Sequence, residues 1–260
     1  MTKVVAIIQA RMGSHRLPGK VMMNLAGKPM LWHVIDRVKK SNNINLIVVA
    51  TTTHEKDRVV KELAEKSGVK TYCGSEYDVL DRYYQAAKLY GADVVVRITA
   101  DCPVIDPHLI DRTVKYFEDN RDKFDYVGMG TPNLYPDGLD NEVFPFKILK
   151  KAWKEARLKS EREHVTPYIW KNEKLFRIGS LPTDKDLSKE RWTVDNEKDI
   201  RFIKEIYKHL YKEGGLFATE EILELLSRKP ELRDINRGTE RREGYEKSLK
   251  EDCIVKGGSD

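Results

Sequence analysis

Val4-Val5-Ala6-Ile7-Ile8 is an unbroken apolar run, as expected of a strand buried on both faces. The period then lengthens. Leu31, Val34, Ile35 and Val38 share one face of a helix predicted over Met30 to Lys40. The exchange repeats: Leu46 to Ala50 reads as a buried strand, and Lys56 to Ser67 as a charged amphipathic helix stopped by Gly68. Val69 to Tyr72 is a short strand, Asp78 to Tyr90 a helix closed by Gly91, and Asp93 to Thr99 a strand centred on Val94-Val95-Val96. Pro107 to Asn120 reads as a helix, with Asp106 ahead of a first-turn proline. This order predicts an α/β fold, a doubly wound, mostly parallel sheet covered by helices. Ligands of such sheets collect beyond the carboxyl ends of the strands, so the polar residues just after each strand carry the functional question.

The pattern changes after residue 124. Tyr126 to Gly130 reads as one more strand, and Thr131 to Phe146 as an irregular stretch rich in Pro, Gly and aromatics. Helices are predicted over Phe146 to Lys159 and around Val165 to Lys171, and Phe176 to Leu181 alternates like a strand. Late helices are expected over Glu197 to Lys212 and Thr219 to Ser227, the second with Thr219 as N-cap. Residues 1–236 therefore read as a single domain in which about 130–190 forms an insertion. Residues 237–260 read as a charged tail whose end, Gly257 to Asp260, is expected to be mobile.

Composition narrows the class. The chain has 260 residues, 34% of them charged, and a formal net charge of +5 with both signs mixed throughout. That small excess is weak evidence for nucleic acid and suits a small anionic substrate at least as well. No apolar run approaches the roughly 20 residues of a membrane helix, so no membrane partner and a cytoplasmic location are expected. The three cysteines, Cys73, Cys102 and Cys253, are scattered, which argues against a disulfide framework or a zinc site.

Gln9-Ala10-Arg11-Met12-Gly13-Ser14-His15-Arg16-Leu17-Pro18-Gly19-Lys20 follows the first strand. Its cations Arg11, Arg16 and Lys20 and its glycines suit a triphosphate, which is held by cation clamps and backbone N–H groups. The bland alternative is a basic surface turn. It is no Walker A loop, because five residues separate Gly13 from Gly19 and Val21 stands where Ser or Thr would hold magnesium. Asp101 lies just past the strand ending in Thr99, where a carboxylate can serve a hard cation such as Mg²⁺ or simply cap a turn before Pro103. Asp195 ends a second short apolar segment and can likewise serve a metal or cap the following helix, while Asp199 reads as helix surface.

The string IIQARMGSHRLPGKVMMNLAGKPM closely resembles the N-terminal motif of the cytidylyltransferases, in particular the spore-coat-polysaccharide-type branch. RITADCPVIDP and RWTVDNEKDI resemble the two metal-binding segments of that family. The resemblance implies a nucleotidyltransferase that attaches CMP from CTP to an acceptor oxygen, of a sugar acid or related polysaccharide precursor, and releases pyrophosphate. It assigns the nucleotide to Gln9, Ala10, Arg11, Ser14, Arg16 and Lys20, with Thr51 where the family reads cytosine and Arg82 in a further matching segment. It makes Lys20, Arg11, Asp101 and Asp195 the catalytic residues, the two acids being Mg²⁺ ligands. It places Tyr135, Asp140, Glu142 and His164 beside the acceptor, although His164 fits a helix cap or a subunit contact equally well. The insertion, with Trp153 and Trp170, resembles a homodimer-forming region, though both tryptophans also fit a core. A glycosyltransferase, from which a D-x-D motif would be expected, and a non-catalytic nucleotide-binding protein are the competing readings.

Overall fold

The computed structural model describes residues 2–14, 16–130, 133–239, 241 and 243–258. His15, Thr131 and the last two residues of the expected mobile end lie outside the described residues. Strand β1 (Val4–Gln9) leads through a small hairpin, β2 (Asn24–Leu25) and β3 (Lys28–Pro29), into helix α1 (Met30–Val38). Then come β4 (Leu46–Thr52), α2 (Arg58–Lys66), β5 (Lys70–Gly74), α3 (Val79–Leu89), β6 (Val94–Thr99) and α4 (Pro107–Asp119). Next come β7 (Tyr126–Gly128), β8 (Glu142–Pro145), α5 (Phe146–Glu155), α6 (Lys159–His164), α7 (Pro167–Trp170) and β9 (Ile178–Ser180). Helices α8 (Glu197–Leu210), α9 (Thr219–Arg228) and α10 (Glu243–Lys250) follow.

The main sheet has seven strands in the order β5-β4-β1-β6-β8-β7-β9. Only β8 runs against its neighbours β6 and β7. The expected doubly wound, mostly parallel sheet is therefore present. Alternation explains the apolar runs: Val4, Ala6 and Ile8 pack under α1, α2 and α4, while Val5 and Ile7 pack under α3 and α5. From β1 the chain winds outward to β4 and β5, then α3 returns it to β6 on the other side of β1. The carboxyl ends of β1 and β6 thus flank a topological switch point, where such sheets open a ligand crevice.

Three readings needed correction. Strand β8 lay inside the stretch expected to be irregular. Its two core residues, Val143 and Phe144, are too short a run to register, and it forms by pairing with Val96 and Val95 of β6. The cap of α9 is Ala218, not Thr219. The Ala218 N–H donates to Glu221 (3.0 Å), and the Thr219 hydroxyl instead donates to Asp106 (2.6 Å), the N-cap of α4. Asp199 is fully buried rather than on the helix surface. Trp153 belongs to the core, stacked on Tyr84 at 3.9 Å between centroids, and its indole N–H donates to Asp81 (2.8 Å).

Gly138 occupies the left-handed region at φ 110°, and a Cβ there would meet Thr193 N at 2.5 Å and Trp192 C at 2.6 Å. The Trp192 N–H donates to Asp137 O (2.6 Å) at this crossing, so backbone meets backbone with no flexible side chain to yield. Gly138→Ala is expected to cost about 3 kcal/mol, through strain and displacement of the strand-like segment that carries Asp195. Urea denaturation checks this, and an unchanged midpoint would contradict it.

Candidate active site

The loop after β1 is held from both sides. The Ala10 N–H donates to Ala50 O (3.1 Å) of β4, and the Met12 N–H donates to the buried Asp57 carboxylate (2.6 Å). Met12 O then accepts from the N–H groups of Ser14 (3.0 Å) and Gly19 (2.9 Å), folding the loop back on itself, with Gly19 at φ 71°. Leu17 anchors its tip in the apolar cluster built by Trp192, Val194 and helices α8 and α9. Lys20, opening a single helical turn, is only 8% exposed as a result.

Lys20 Nζ lies 2.9 Å from Asp101 Oδ2 and 3.0 Å from Asp195 Oδ1, and donates to Val194 O at 2.7 Å. Burial alone would lower its pKa, but Asp101 and Asp195 outweigh it and hold the ammonium above its usual value. Burial would likewise raise Asp101, but Lys20 brings that carboxyl down to about 2. Asp101 nevertheless keeps 27% side-chain exposure, toward the crevice. Arg16 reaches the same Asp195 oxygen (2.8 Å) and also Glu243 (3.0 Å). The second Asp195 oxygen accepts from Arg191 (3.1 Å), which in turn grips both oxygens of Asp199 at 3.0 Å. Asp199 also accepts from the backbone N–H of Asp195 (2.9 Å), so it sets where Asp195 stands. Asn196, not Asp195, caps α8, which leaves the Asp195 carboxylate to the crevice.

The two carboxylates thus converge on a single cationic centre. Mg²⁺ commonly takes one or two protein carboxylates and fills its remaining positions with phosphate oxygens and water, so this hard-oxygen pair fits the ion. Among the described residues no group of three or more His, Cys, Asp or Glu gathers as a self-contained metal cage.

The remaining expected nucleotide residues divide. Gln9 lines the crevice, and its side-chain oxygen is buried without a partner among the described residues. Ser14 accepts from the Leu17 N–H (3.3 Å) and so shapes the loop. Arg11 pairs with Glu76 (3.5 Å), to which Lys56 (3.1 Å) and His54 (2.6 Å) also attach. Arg82 is buried beneath them. Burial first and Arg11 second lower its pKa to about 10, and its Nε has no partner among the described residues. The Thr51 hydroxyl is likewise buried with no partner among the described residues. Arg11 follows β1, Thr51 lies at the carboxyl end of β4 and Arg82 sits in α3 after β5, on the sheet edge where Asp101 lies, but none of the three lines the central cleft.

That cleft encloses about 650 Å³ and is lined by Asp101, Asp195, Asp140, Glu142 and His164, among others. Glu142 is tied to Arg97, Tyr126 and Thr166 (2.8 Å). Asp140 accepts from Arg241 (3.2 Å). Tyr135, expected beside them, is buried away from the cleft, with its hydroxyl on Pro182 O (3.0 Å). Val165, between the cleft residues His164 and Thr166, sits at φ 75°. A β-branched residue held there costs about 1–3 kcal/mol and persists only where the surroundings impose it, as they commonly do at functional sites.

Sequence reasoning missed Arg97, Arg191, Arg241 and Tyr245. Arg97 carried a signal, a lone charge inside the apolar strand Val94 to Ile98. Arg191 opens the matching segment RWTVDNEKDI, where attention went to Asp195, and Arg241 and Tyr245 lie in the charged tail with no local pattern.

The cytidylyltransferase family model matches residues 5–231. The chain belongs to the cytidylyltransferase family. It is 42% identical over 238 residues to an uncharacterized protein of Methanocaldococcus jannaschii, covering 90% of this chain and 94% of that one. It is 31% identical to the spore coat polysaccharide biosynthesis protein SpsF of Bacillus subtilis, over 89% of this chain and 97% of the relative. A solved cytidylyltransferase from Leptospira borgpetersenii superposes with a TM-score of 0.86 at 33% identity, covering 93% of this chain and all (100%) of that one. Membership in the cytidylyltransferase family makes this chain an enzyme of the nucleotidyltransferase class and sets aside the glycosyltransferase and non-catalytic readings. No helix among the described residues is long and apolar enough to cross a membrane.

His164 gives a pH signature. Burial first lowers its pKa from 6.5 to about 4, so at neutral pH the ring is uncharged and meets the Ser248 hydroxyl through Nε2 at 2.9 Å. Between those values the unfolded chain binds more protons than the folded one, so stability is complete above pH 6.5 and is lost as pH falls toward 4. His164→Gln is expected to flatten this slope, as read by urea denaturation at about pH 7.5 and 5. An unchanged slope would contradict it.

Proposed function

We propose that this enzyme transfers CMP from CTP to a hydroxyl of a sugar acid or related polysaccharide precursor, with release of pyrophosphate. The observation that carries the reading is the cluster of Lys20, Asp101 and Asp195 at the switch point between β1 and β6, continuous with the phosphate loop through Arg16. Arg11, Arg16 and Lys20 would hold the triphosphate and stabilise charge developing on the departing pyrophosphate. Asp101 and Asp195 would hold Mg²⁺, which when bound supplies charge neutralisation and eases deprotonation of the attacking hydroxyl. Little covalent chemistry is asked of the chain, so positioning dominates. The acceptor would lie in the cleft bounded by Asp140, Glu142 and His164. The insertion would also supply a homodimer surface, as the resemblance implies.

A pyrophosphate-release screen of the four nucleoside triphosphates against sugar acids and polyols, with Mg²⁺, tests this. Release with CTP well above the other three is expected. Release with another base, or none with any acceptor, would overturn it. Glu243→Gln is expected to lower the KM for CTP about 2- to 3-fold, because Glu243 competes for Arg16 on the protein's edge. A raised KM would show that Glu243 helps to place Arg16.

A further inference from the structure

One wall of the cleft comes from outside the family-matched segment 5–231: Arg241, Glu243, Gly244 and Tyr245. This tail is seated by specific contacts with α6 and its flanks. The Ser248 hydroxyl donates to Glu163 (3.1 Å), and Asp252 accepts from both the backbone N–H (2.9 Å) and the hydroxyl (2.8 Å) of Ser160. Further along, Cys253 O accepts from the Lys159 N–H (2.9 Å), and the Val255 N–H donates to Arg157 O (2.8 Å). Arg241, ahead of the helix, is fixed by Asp140 and by Tyr135 O (2.9 Å).

Tyr245 is the residue this seating aims. Its ring stands edge-on to His164 (5.1 Å between centroids, 85°) and to Trp170 (5.7 Å, 66°), with the Lys171 ammonium 5.3 Å from its centre. A ring held on these sides leaves its hydroxyl little freedom, yet that hydroxyl is buried and has no hydrogen-bond partner among the described residues. Two other cleft residues share the defect: Gln9 Oε1 from β1 and Arg97 Nε from β6. A buried polar atom left unpaired costs about 1–3 kcal/mol, so such atoms are rare in folded proteins and call for an explanation such as a missing ligand. Here one atom accepts, one donates and the tyrosine can do either. Hydroxyl groups, which both donate and accept, answer all three.

We propose that Tyr245 contacts the acceptor directly and that the C-terminal segment selects a hydroxyl-rich molecule. This rests on the cleft being the acceptor site of the transfer proposed above. The test uses the full-length protein and Tyr245→Phe, which removes only the hydroxyl. Two probes, ribitol and 3-deoxy-manno-octulosonate, are titrated in the presence of a non-hydrolysable α,β-methylene CTP analogue and read by isothermal titration calorimetry. Saturable binding of at least one probe is expected, weakened about 3- to 10-fold by Tyr245→Phe, with affinity for the analogue unchanged. Equal probe affinity in the two proteins, parallel weakening of the analogue, or binding of neither probe would each overturn the assignment. Failure of the transfer reading itself shows separately, as a wild-type protein that does not bind the CTP analogue.

Discussion

Asp101→Asn is expected to lower kcat for pyrophosphate release from CTP on the order of 10³-fold, with a much smaller change in KM for CTP. The substitution keeps the shape of the side chain and removes its charge. Asp101 follows β6, is anchored through its own carbonyl by the Val194 N–H (2.8 Å), and shares Lys20 with Asp195. An amide in its place halves the anionic pair on which a hard cation would depend and leaves Lys20 with one charged acceptor fewer. On the proposed reading, binding of the triphosphate would draw mainly on Arg11, Arg16 and Lys20, so kcat should suffer more than KM. Lys20→Ala is expected to lose activity comparably, and the double variant less than the sum, since the groups act as a unit. Steady-state kinetics with thermal melting as the folding control decides the matter. Activity within about tenfold of wild type would show that Asp101 only caps its turn.

Asp199→Ala is expected to destabilise the fold by about 3–5 kcal/mol, a fall in Tm of roughly 6–20 °C for a chain of this size. Asp199 is fully buried and accepts from Arg191 twice, from the N–H groups of Asp195 (2.9 Å) and Asn196 (3.2 Å), and from Asn236 (3.4 Å). Its removal takes an acidic partner from the Arg191 guanidinium, itself 9% exposed, which also meets Asp137 and Asp195. Taking one partner from a buried, hydrogen-bonded charge pair is what makes such losses large. Loss of Asp199 would also release the backbone that positions Asp195, so activity should fall in the folded fraction too. A drop below about 1 kcal/mol in urea denaturation would mean that water screens this network.

The legible part of the fold is the part in which each residue's neighbours along the chain report its burial. In β1, β4 and β6 both faces are covered, so apart from Arg97 and the polar residues at the carboxyl ends the positions are apolar and the run is unmistakable. Gly68 and Gly91 end their helices at φ 68° and 60°, as their positions foretold. Strand β8 gave no such signal, because its register with β6 is a long-range choice. Tyr135 misled for a related reason: a loop aromatic among acids fits an acceptor site in sequence, yet the fold turns its hydroxyl toward Pro182.

The chain by itself determined the alternation of strands and helices, the cationic glycine loop after β1, and the two acids placed after β6 and before α8. These follow from local periodicity and from motifs short enough to survive in one string. Only the tertiary structure decided that Lys20 would lie between Asp101 and Asp195, that Arg97 would meet Glu142, that Asp199 would be interior, and that the tail would bring Tyr245 to the cleft. Each of these joins residues far apart along the chain. Their proximity comes from strand order and helix packing, and no local pattern of apolar and polar positions encodes it.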